Sequence, residues 1–147
     1  YLNEKHPAFP LLPEDIIARA KTRERSRFHD TRLEPQVRAL FSHIAPANRD
    51  SKFVAQQVEK INQALVDFSR LLEKSDLASH DNLTLGDCGF AISFVWIDHL
   101  AKVFSVEINW PEPVLSYRMC IEQFAAIKEE LDDYLPKLST WLANAVP

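Results

Sequence analysis

Apolar side chains recur every three or four residues along most of this chain, and the pattern is clearest after residue 50. From there an apolar stripe continues to Lys74, while polar and charged side chains occupy the opposite side. This spacing places the apolar groups on one face of a helix. Asp50 or Ser51 can cap the first turn. The pattern therefore predicts an amphipathic helix from one of these residues to Lys74.

A second apolar pattern of helical spacing begins after Pro13. Proline is common at helix starts, and the carboxylates of Glu14 and Asp15 suit the positive end of the helix dipole. Pro35 lies within the same pattern, and its ring collides with the carbonyl four residues earlier in a regular helix. We expect a long helix from Glu14 or Asp15 that Pro35 kinks or divides.

Residues 88–104 are apolar almost throughout, with Asp98, His99 and Lys102 as the exceptions. A continuous apolar run fits either a buried strand or a helix that is covered on all sides. The length of the run and the capping signal before it favour a helix. We predict that this helix lies at the centre of the domain.

The last third of the chain adds predicted helices over residues 114–124 and 127–134, and a short closing helix after Pro136. Residues 75–82 are polar and read as a loop, and strand-like alternation is absent. The sequence contains two glycines, which argues against phosphate-binding loops and hairpin-rich sheets, since both depend on glycine. The sequence therefore predicts an all-α helical bundle.

The formal net charge of −4 argues against a nucleic-acid partner, which would require a basic surface. No signal peptide or membrane-spanning stretch is recognisable, so we expect no membrane partner and a cytoplasmic location. Cys88 and Cys120 lie in apolar patterns and are expected to be buried, reduced thiols. No cysteine or histidine spacing indicates a metal site, and His29 and His43 have no ligand partner at useful spacing.

The beginning of the chain predicts a division into two parts. Residues 1–6 read as the end of a helix, and the proline-rich segment 7–13 cannot form a regular helix. We expect residues 1–13 to be the end of one domain with its linker, and residues 14–147 to form the helical domain. On this interpretation the chain starts inside a larger protein.

Thr84, Leu85, Gly86 and Asp87 form the most informative motif. In a capping box, the threonine hydroxyl accepts a hydrogen bond from the N–H three residues later, and the acidic side chain accepts one from the N–H of the threonine. Two free donors at a buried helix end are satisfied in this way. Alone, the motif indicates only that a helix starts here.

The setting of this box, before an apolar central helix, resembles the C-terminal domain of the cytosolic glutathione transferases. YLNEKHPAFPLLPED resembles that family's interdomain segment, where the last helix of a thioredoxin-like domain ends and a proline-bearing linker follows. IIARAKTRERSRFHDTRLEP resembles its first long helix, and DDYLPKLSTWLANA resembles its closing pattern. Trp96 lies nine positions beyond Asp87, and this spacing resembles that of a tryptophan in bacterial members of the family. The resemblance covers essentially the whole chain.

The resemblance implies a dimeric detoxification enzyme that adds the thiol of glutathione to hydrophobic electrophiles. Glutathione is then the co-substrate, and no other cofactor is implied. In this family the residue that stabilises the thiolate belongs to the thioredoxin-like domain. The resemblance therefore implies no catalytic residue in this chain, and a thioredoxin-like domain of the same polypeptide as its partner.

The helical half of such an enzyme supplies the wall of the electrophile pocket, which suits apolar surface with a few polar groups. Asp30 matches an acidic residue that in some members lies near the glutathione ammonium of the neighbouring subunit. Two structural alternatives stay open, namely Trp96 as a plain core residue and Asp30 as an exposed carboxylate paired with Arg27 or with a neighbour of Glu34. The residues implied for the pocket are Phe28, Thr31, Arg32 and Trp96.

A non-catalytic interaction module is the alternative function. Helical domains of this kind also mediate assembly in translation factors, aminoacyl-tRNA synthetase complexes and stress-response regulators, and fold alone does not decide between the two. The basic run at residues 21–27 reads as a solvated face or a dimer contact. Asp98 and His99 do not suggest a catalytic dyad, because adjacent helix residues point apart.

Overall fold

The computed structural model describes residues 1–8, 10–74 and 83–145. Within these ranges all regular secondary structure is helical, which confirms the all-α prediction. None of the described helices is both long enough and apolar enough to cross a bilayer. The predicted loop at residues 75–82 lies outside the described residues. The helices are α1 (Leu2–Lys5), α2 (Ile16–Phe28), α3 (Glu34–Arg38), α4 (Ser51–Lys74), α5 (Phe90–Phe104), α6 (Glu112–Ile121) and α7 (Ala125–Ala145).

The first long helical run starts where the sequence predicts. Asp15 caps α2, and its carboxylate accepts a hydrogen bond from the N–H of Ala18 over 2.8 Å. At His29–Leu33 the run becomes a π turn, in which the N–H of Glu34 bonds to the carbonyl five residues earlier. Pro35 stands in the first turn of α3. Because proline has no N–H to continue the hydrogen-bond ladder, the run divides just before it, as expected.

The amphipathic helix after residue 50 is confirmed as α4. Asp50 provides its cap, because the carboxylate accepts hydrogen bonds from the N–H groups of Lys52 and Phe53 at 2.9 and 3.0 Å. The apolar face of α4 packs against α3 and α6, and Leu65 and Phe68 on this face are fully buried. The hydrophobic period of the sequence therefore identified both the helix and its inner face.

The apolar helix α5 lies at the centre of the core, and it begins two residues later than the sequence suggests. Seven of its 15 residues are buried, so more than one side of the helix is covered. The ring of Phe90 stacks on Phe68 of α4 at 4.3 Å and meets Tyr117 of α6 edge-on at 5.6 Å. Ser105 ends the helix in a left-handed conformation with φ of 54°.

The prediction of two separate helices around Pro136 is wrong, since α7 continues through this proline. The ring deprives the carbonyl of Asp132, four residues earlier, of its usual hydrogen bond. Both residues are exposed, so water can bond to that carbonyl and the helix need not break.

Two expectations about side chains are also wrong. Cys88 is exposed, because it lies in the turn before α5 and not within the helix, and Cys120 is half-buried. Arg25 belongs to the basic run that reads as solvated, yet only 1% of it is exposed. The buried carboxylate of Asp87, 3.2 Å from its Nε, draws this arginine inward.

The first residues of the chain are tied to the helical domain by backbone contacts. The Asn3 side-chain oxygen accepts hydrogen bonds from the N–H groups of Leu11 and Leu12, at 2.7 and 3.1 Å. The N–H of Leu85 in turn donates to the carbonyl of Leu11 over 2.8 Å. Residues 2–5 are helical, as expected. The division of residues 1–13 from residues 14–147 stays a prediction.

Candidate functional site

Asp87 lies at the centre of a buried polar cluster that joins three parts of the fold, and it is 0% exposed. Its Oδ1 atom accepts a hydrogen bond from the hydroxyl of Tyr117 on α6 over 2.7 Å and lies 3.2 Å from Nε of Arg25 on α2. Its Oδ2 atom accepts hydrogen bonds from the N–H and the hydroxyl of Thr84 at 2.9 and 2.6 Å. A buried carboxylate thus faces a buried guanidinium, which offsets the desolvation of both charges.

The capping box at Thr84 and Asp87 forms in altered geometry. The carboxylate accepts from the N–H of Thr84, as the sequence predicts. The Thr84 hydroxyl, however, donates to that carboxylate and accepts a hydrogen bond from Nη2 of Arg25 over 2.9 Å. The N–H of Asp87 bonds to the backbone carbonyl of Thr84 at 3.0 Å. The hydroxyl is therefore used to hold the arginine and not to cap the helix.

This cluster is closed to solvent and is structural. Burial raises the pKa of Tyr117 well above its ordinary value, and the negative charge of Asp87 adds to the shift. The phenol therefore stays protonated and continues to donate. Arg25 and Tyr117 are 1% and 5% exposed, so no substrate reaches them. The Nη1 atom of Arg25 makes no hydrogen bond, which is a local cost that the ion pair must offset.

Three of the four residues expected in an electrophile pocket, Phe28, Thr31 and Arg32, line one groove of about 450 Å³. The groove lies between the run formed by α2 and the π turn on one side and α4 on the other. A smaller concavity of about 160 Å³ shares Arg32 and Asp67 with it. The lining residues of the larger groove are Glu24, Arg27, Phe28, Thr31, Arg32, Asp67, Arg70 and Leu71.

The groove combines an apolar floor with charged edges. The Phe28 ring stacks on the buried ring of Phe68 at 5.5 Å, which fixes its orientation. The Thr31 hydroxyl donates to the carbonyl of Arg27 over 2.7 Å, so its oxygen faces the groove region as an acceptor only. The Asp67 carboxylate accepts from Arg70 at 3.0 Å. A ligand for such a surface combines an apolar part over Phe28 and Leu71 with a polar group at the charged edge.

Trp96 does not line this groove. Its indole N–H donates to the hydroxyl of Tyr134 on α7 over 2.8 Å. The ring lies 4.3 Å from Phe41 and 5.8 Å from Trp141, measured between centroids. Trp96 thus belongs to an aromatic group between α5 and α7, separate from the other three candidates. Of these four aromatic residues, Trp141 is the most exposed.

Asp30 lies at the surface beside His29. Its carboxylate is 2.9 Å from Nδ1 of His29, whereas the sequence alternative had paired it with Arg27. The Nε2 atom of the same ring hydrogen-bonds the hydroxyl of Ser93 on α5 at 2.9 Å. Serine, histidine and aspartate are thus connected in series, but Ser93 is buried in the interior of α5. The series links the π turn after α2 to α5, and its serine is closed to a substrate.

Sequence reasoning missed this buried polar face of the first helical run. Thr22, Arg25 and His29 recur at helical spacing and are all buried. The feature of the sequence that could have revealed this packing is the pair of glycines, Gly86 and Gly89. A Cβ atom on Gly86 would lie 2.7 Å from the carbonyl oxygen of Thr22, and one on Gly89 would lie 2.5 Å from the His29 ring. Both glycines allow the turn before α5 to approach this face closely.

No protein-family model matches this chain, and no curated protein is similar enough to it to count as a match. Across the part of the chain that the structure describes, no three His, Cys, Asp or Glu side chains lie close enough together to hold a metal ion.

Proposed function

We propose that this chain is the electrophile-binding and dimer-forming part of a glutathione transferase that conjugates glutathione to hydrophobic electrophiles. The groove carries this proposal, because Phe28, Thr31 and Arg32 come together on one open surface of the first helical run. An electrophile pocket needs an apolar surface with polar groups for orientation, and this groove supplies Phe28 and Leu71 as the apolar part beside a charged edge. Trp96 lies elsewhere, so the proposal does not depend on it.

The chemistry of the proposed enzyme divides between two domains. Glutathione reacts as its thiolate, which adds to the electrophilic carbon while the leaving group or the acceptor double bond takes up the electron pair. The group that lowers the thiol pKa belongs to the thioredoxin-like domain in the proposed parent protein. This chain contributes orientation of the electrophile at Phe28, and Asp30 offers an exposed carboxylate to an ammonium group.

A non-catalytic interaction module is the second candidate, and exposed apolar side chains favour it. Ile16 and Ile17 at the start of α2 are 78% and 64% exposed, and Met119 on α6 is also exposed. Such surface is suited to a protein partner. In the leading proposal the same side chains contact the thioredoxin-like domain or the second subunit, at a cytoplasmic location.

One experiment separates the two candidates. The native protein is captured from its source with an antibody to this chain, and its intact mass and its conjugation of glutathione to 1-chloro-2,4-dinitrobenzene are measured. We expect a mass larger by roughly 50–100 residues and measurable conjugation. The same assay is repeated on the protein with the substitution Phe28→Leu. This change keeps an apolar contact with Phe68 and removes the aromatic ring from the groove. Its kcat/KM is expected to fall roughly tenfold.

The control for this experiment is Trp141→Leu, which changes an exposed aromatic side chain outside the groove. It should leave kcat/KM unchanged. A native mass equal to that of these 147 residues, together with no conjugation, would overturn the enzyme proposal and leave the interaction module.

A further inference from the structure

We infer that the groove selects aromatic ligands that carry a carboxylate, so that the electrophile of the proposed enzyme is an aromatic acid. The statement that this ligand is an electrophile rests on the proposed function, whereas the preference for an aromatic carboxylate rests on the groove alone. It is carried by Arg27 and Arg32, which line the same groove as Phe28.

The two arginines have no ionic partner among the residues described. The other charged pair of the groove is already satisfied, since Asp67 accepts from Arg70 at 3.0 Å. Glu24 is the remaining carboxylate of the lining, and it lies a full helical turn before Phe28, at the end of the groove away from Arg32. The lining of the groove therefore has three arginines against two carboxylates, an excess of positive charge in a chain whose net charge is −4.

The π turn brings the two guanidiniums to one side of the helix. Residues five apart in a regular α-helix point about 140° away from each other. The His29–Leu33 turn has hydrogen bonds that span five residues, which underwinds the helix and moves Arg32 toward the side of Arg27. Both side chains consequently line the same groove. Pro35 interrupts the regular ladder just beyond this turn.

The floor of the groove determines the rest of the ligand. Phe28 is held by its stack on Phe68, and Leu71 of α4 lines the same groove. An aromatic ring can lie between these two side chains and gain offset stacking with Phe28. Carboxylates match the planar guanidinium fork, because both oxygens can bond to it. An aromatic acid satisfies the floor and the arginines together.

Binding of a matched pair of probes to the 147-residue chain tests this inference directly. The probes are 1-naphthaleneacetate and its neutral amide, 1-naphthaleneacetamide, and their affinities are measured by isothermal titration calorimetry. We expect the acid to bind about tenfold more tightly, because each exposed guanidinium contributes a few-fold. The difference should shrink at high salt, since the arginines are exposed.

Substitutions of the two arginines test whether they cause the preference for the acid over the amide. Arg27→Gln and Arg32→Gln should each weaken the acid about threefold to fivefold and leave the amide unchanged. Arg23→Gln is the matched control, because Arg23 is exposed on the same helix and does not line the groove. Equal affinities for acid and amide, binding of neither probe, or an equal loss in Arg23→Gln would each overturn the inference.

Failure here is distinguishable from failure of the proposed function. A native protein that does not conjugate glutathione, while the chain still prefers the acid through Arg27 and Arg32, would remove the enzyme and keep the ligand preference. Conjugation of glutathione to a neutral electrophile, in a chain that shows no preference for the acid, would keep the enzyme and remove the ligand preference.

Discussion

At the scale of single residues, the buried side chain of Asp87 is held by three different partners. It accepts hydrogen bonds from Thr84 and Tyr117 and pairs with Arg25 in a region closed to solvent. Transfer of two charges from water is costly, and good geometry with additional hydrogen bonds must offset that cost. Loss of either charge therefore leaves the other one buried without compensation.

Asp87→Asn tests this dependence. The amide keeps one acceptor oxygen, so it can accept from Tyr117 or from Thr84 but not from both, and it removes the charge that faces Arg25. We expect the free energy of unfolding, measured by urea denaturation, to fall by about 3–5 kcal/mol. Asp67→Asn is the control, because its pair with Arg70 is half-exposed and should contribute about 1 kcal/mol or less. Equal small losses in both variants would show that the buried pair is not specially important.

Tyr117 gives a pH prediction at the same site. Its pKa is raised by burial first and by the charge of Asp87 second, so the folded protein holds the phenol proton more tightly than the unfolded chain. This contribution to stability is complete below the unfolded pKa of about 10 and is lost as the pH rises above it. The free energy of unfolding should therefore fall more steeply above pH 10 in the native protein than in Tyr117→Phe. Tyr1→Phe, an exposed control, should follow the native curve, and parallel curves for Tyr117→Phe would contradict the assignment.

The capping box in the sequence identified Asp87 as important. The same sequence predicted that Arg25 is exposed to solvent, and this prediction is wrong. A helical period shows which residues share a face, and the face containing Thr22, Arg25 and His29 reads as polar and solvated. The partner that buries this face is the turn before α5, and Thr84 lies 59 residues from Arg25 in the chain. Such a pairing cannot be derived from local spacing. The groove was predictable in part, since Phe28, Thr31 and Arg32 were chosen by resemblance, whereas Arg27 and Arg70 were not.

At the scale of elements, the contact between the turn before α5 and the first helical run depends on the absence of a side chain at Gly89. Neither glycine has a positive φ, so packing and not backbone conformation requires them. The His29 ring that faces Gly89 is held on one side by Ser93 and on the other by Asp30. It cannot move aside without losing these contacts.

Gly89→Ala is therefore expected to destabilise the protein by about 1–3 kcal/mol, because the added Cβ would lie 2.5–2.8 Å from the three nearest His29 ring atoms. The double variant His29→Ala with Gly89→Ala should be less destabilised than the sum of the two single variants, as measured in a double-mutant cycle by urea denaturation. Gly86→Ala is the comparison, since its Cβ would meet the backbone oxygen of Thr22 and His29→Ala cannot relieve that clash. Strict additivity at residue 89 would contradict the proposed contact.

The helices themselves were largely predictable, because α4 and α2 combine a clear apolar period with a capping aspartate. Pro136 was the exception. The sequence gives no indication of whether a helix interior is exposed at a given proline, and exposure is what allows α7 to continue there. Element boundaries thus follow from local chemistry only where the environment of the backbone does not decide the outcome.

At the scale of the whole molecule, stability should be highest in α5, and hydrogen exchange measures this directly. The helix is covered by α4 and α6 through the contacts of Phe90, and its start is fixed by the Asp87 cluster. Amides in a segment with this many buried contacts exchange only when the whole domain unfolds. We expect the α5 amides to exchange most slowly and at the rate set by global stability, while α1 and the exposed turns of α7 exchange through local opening. In Asp87→Asn the exchange of α5 should accelerate by the full loss of global stability, with little change in α1. Exchange of α5 ahead of α4 would mean that the apolar central helix does not form the stable centre of this fold.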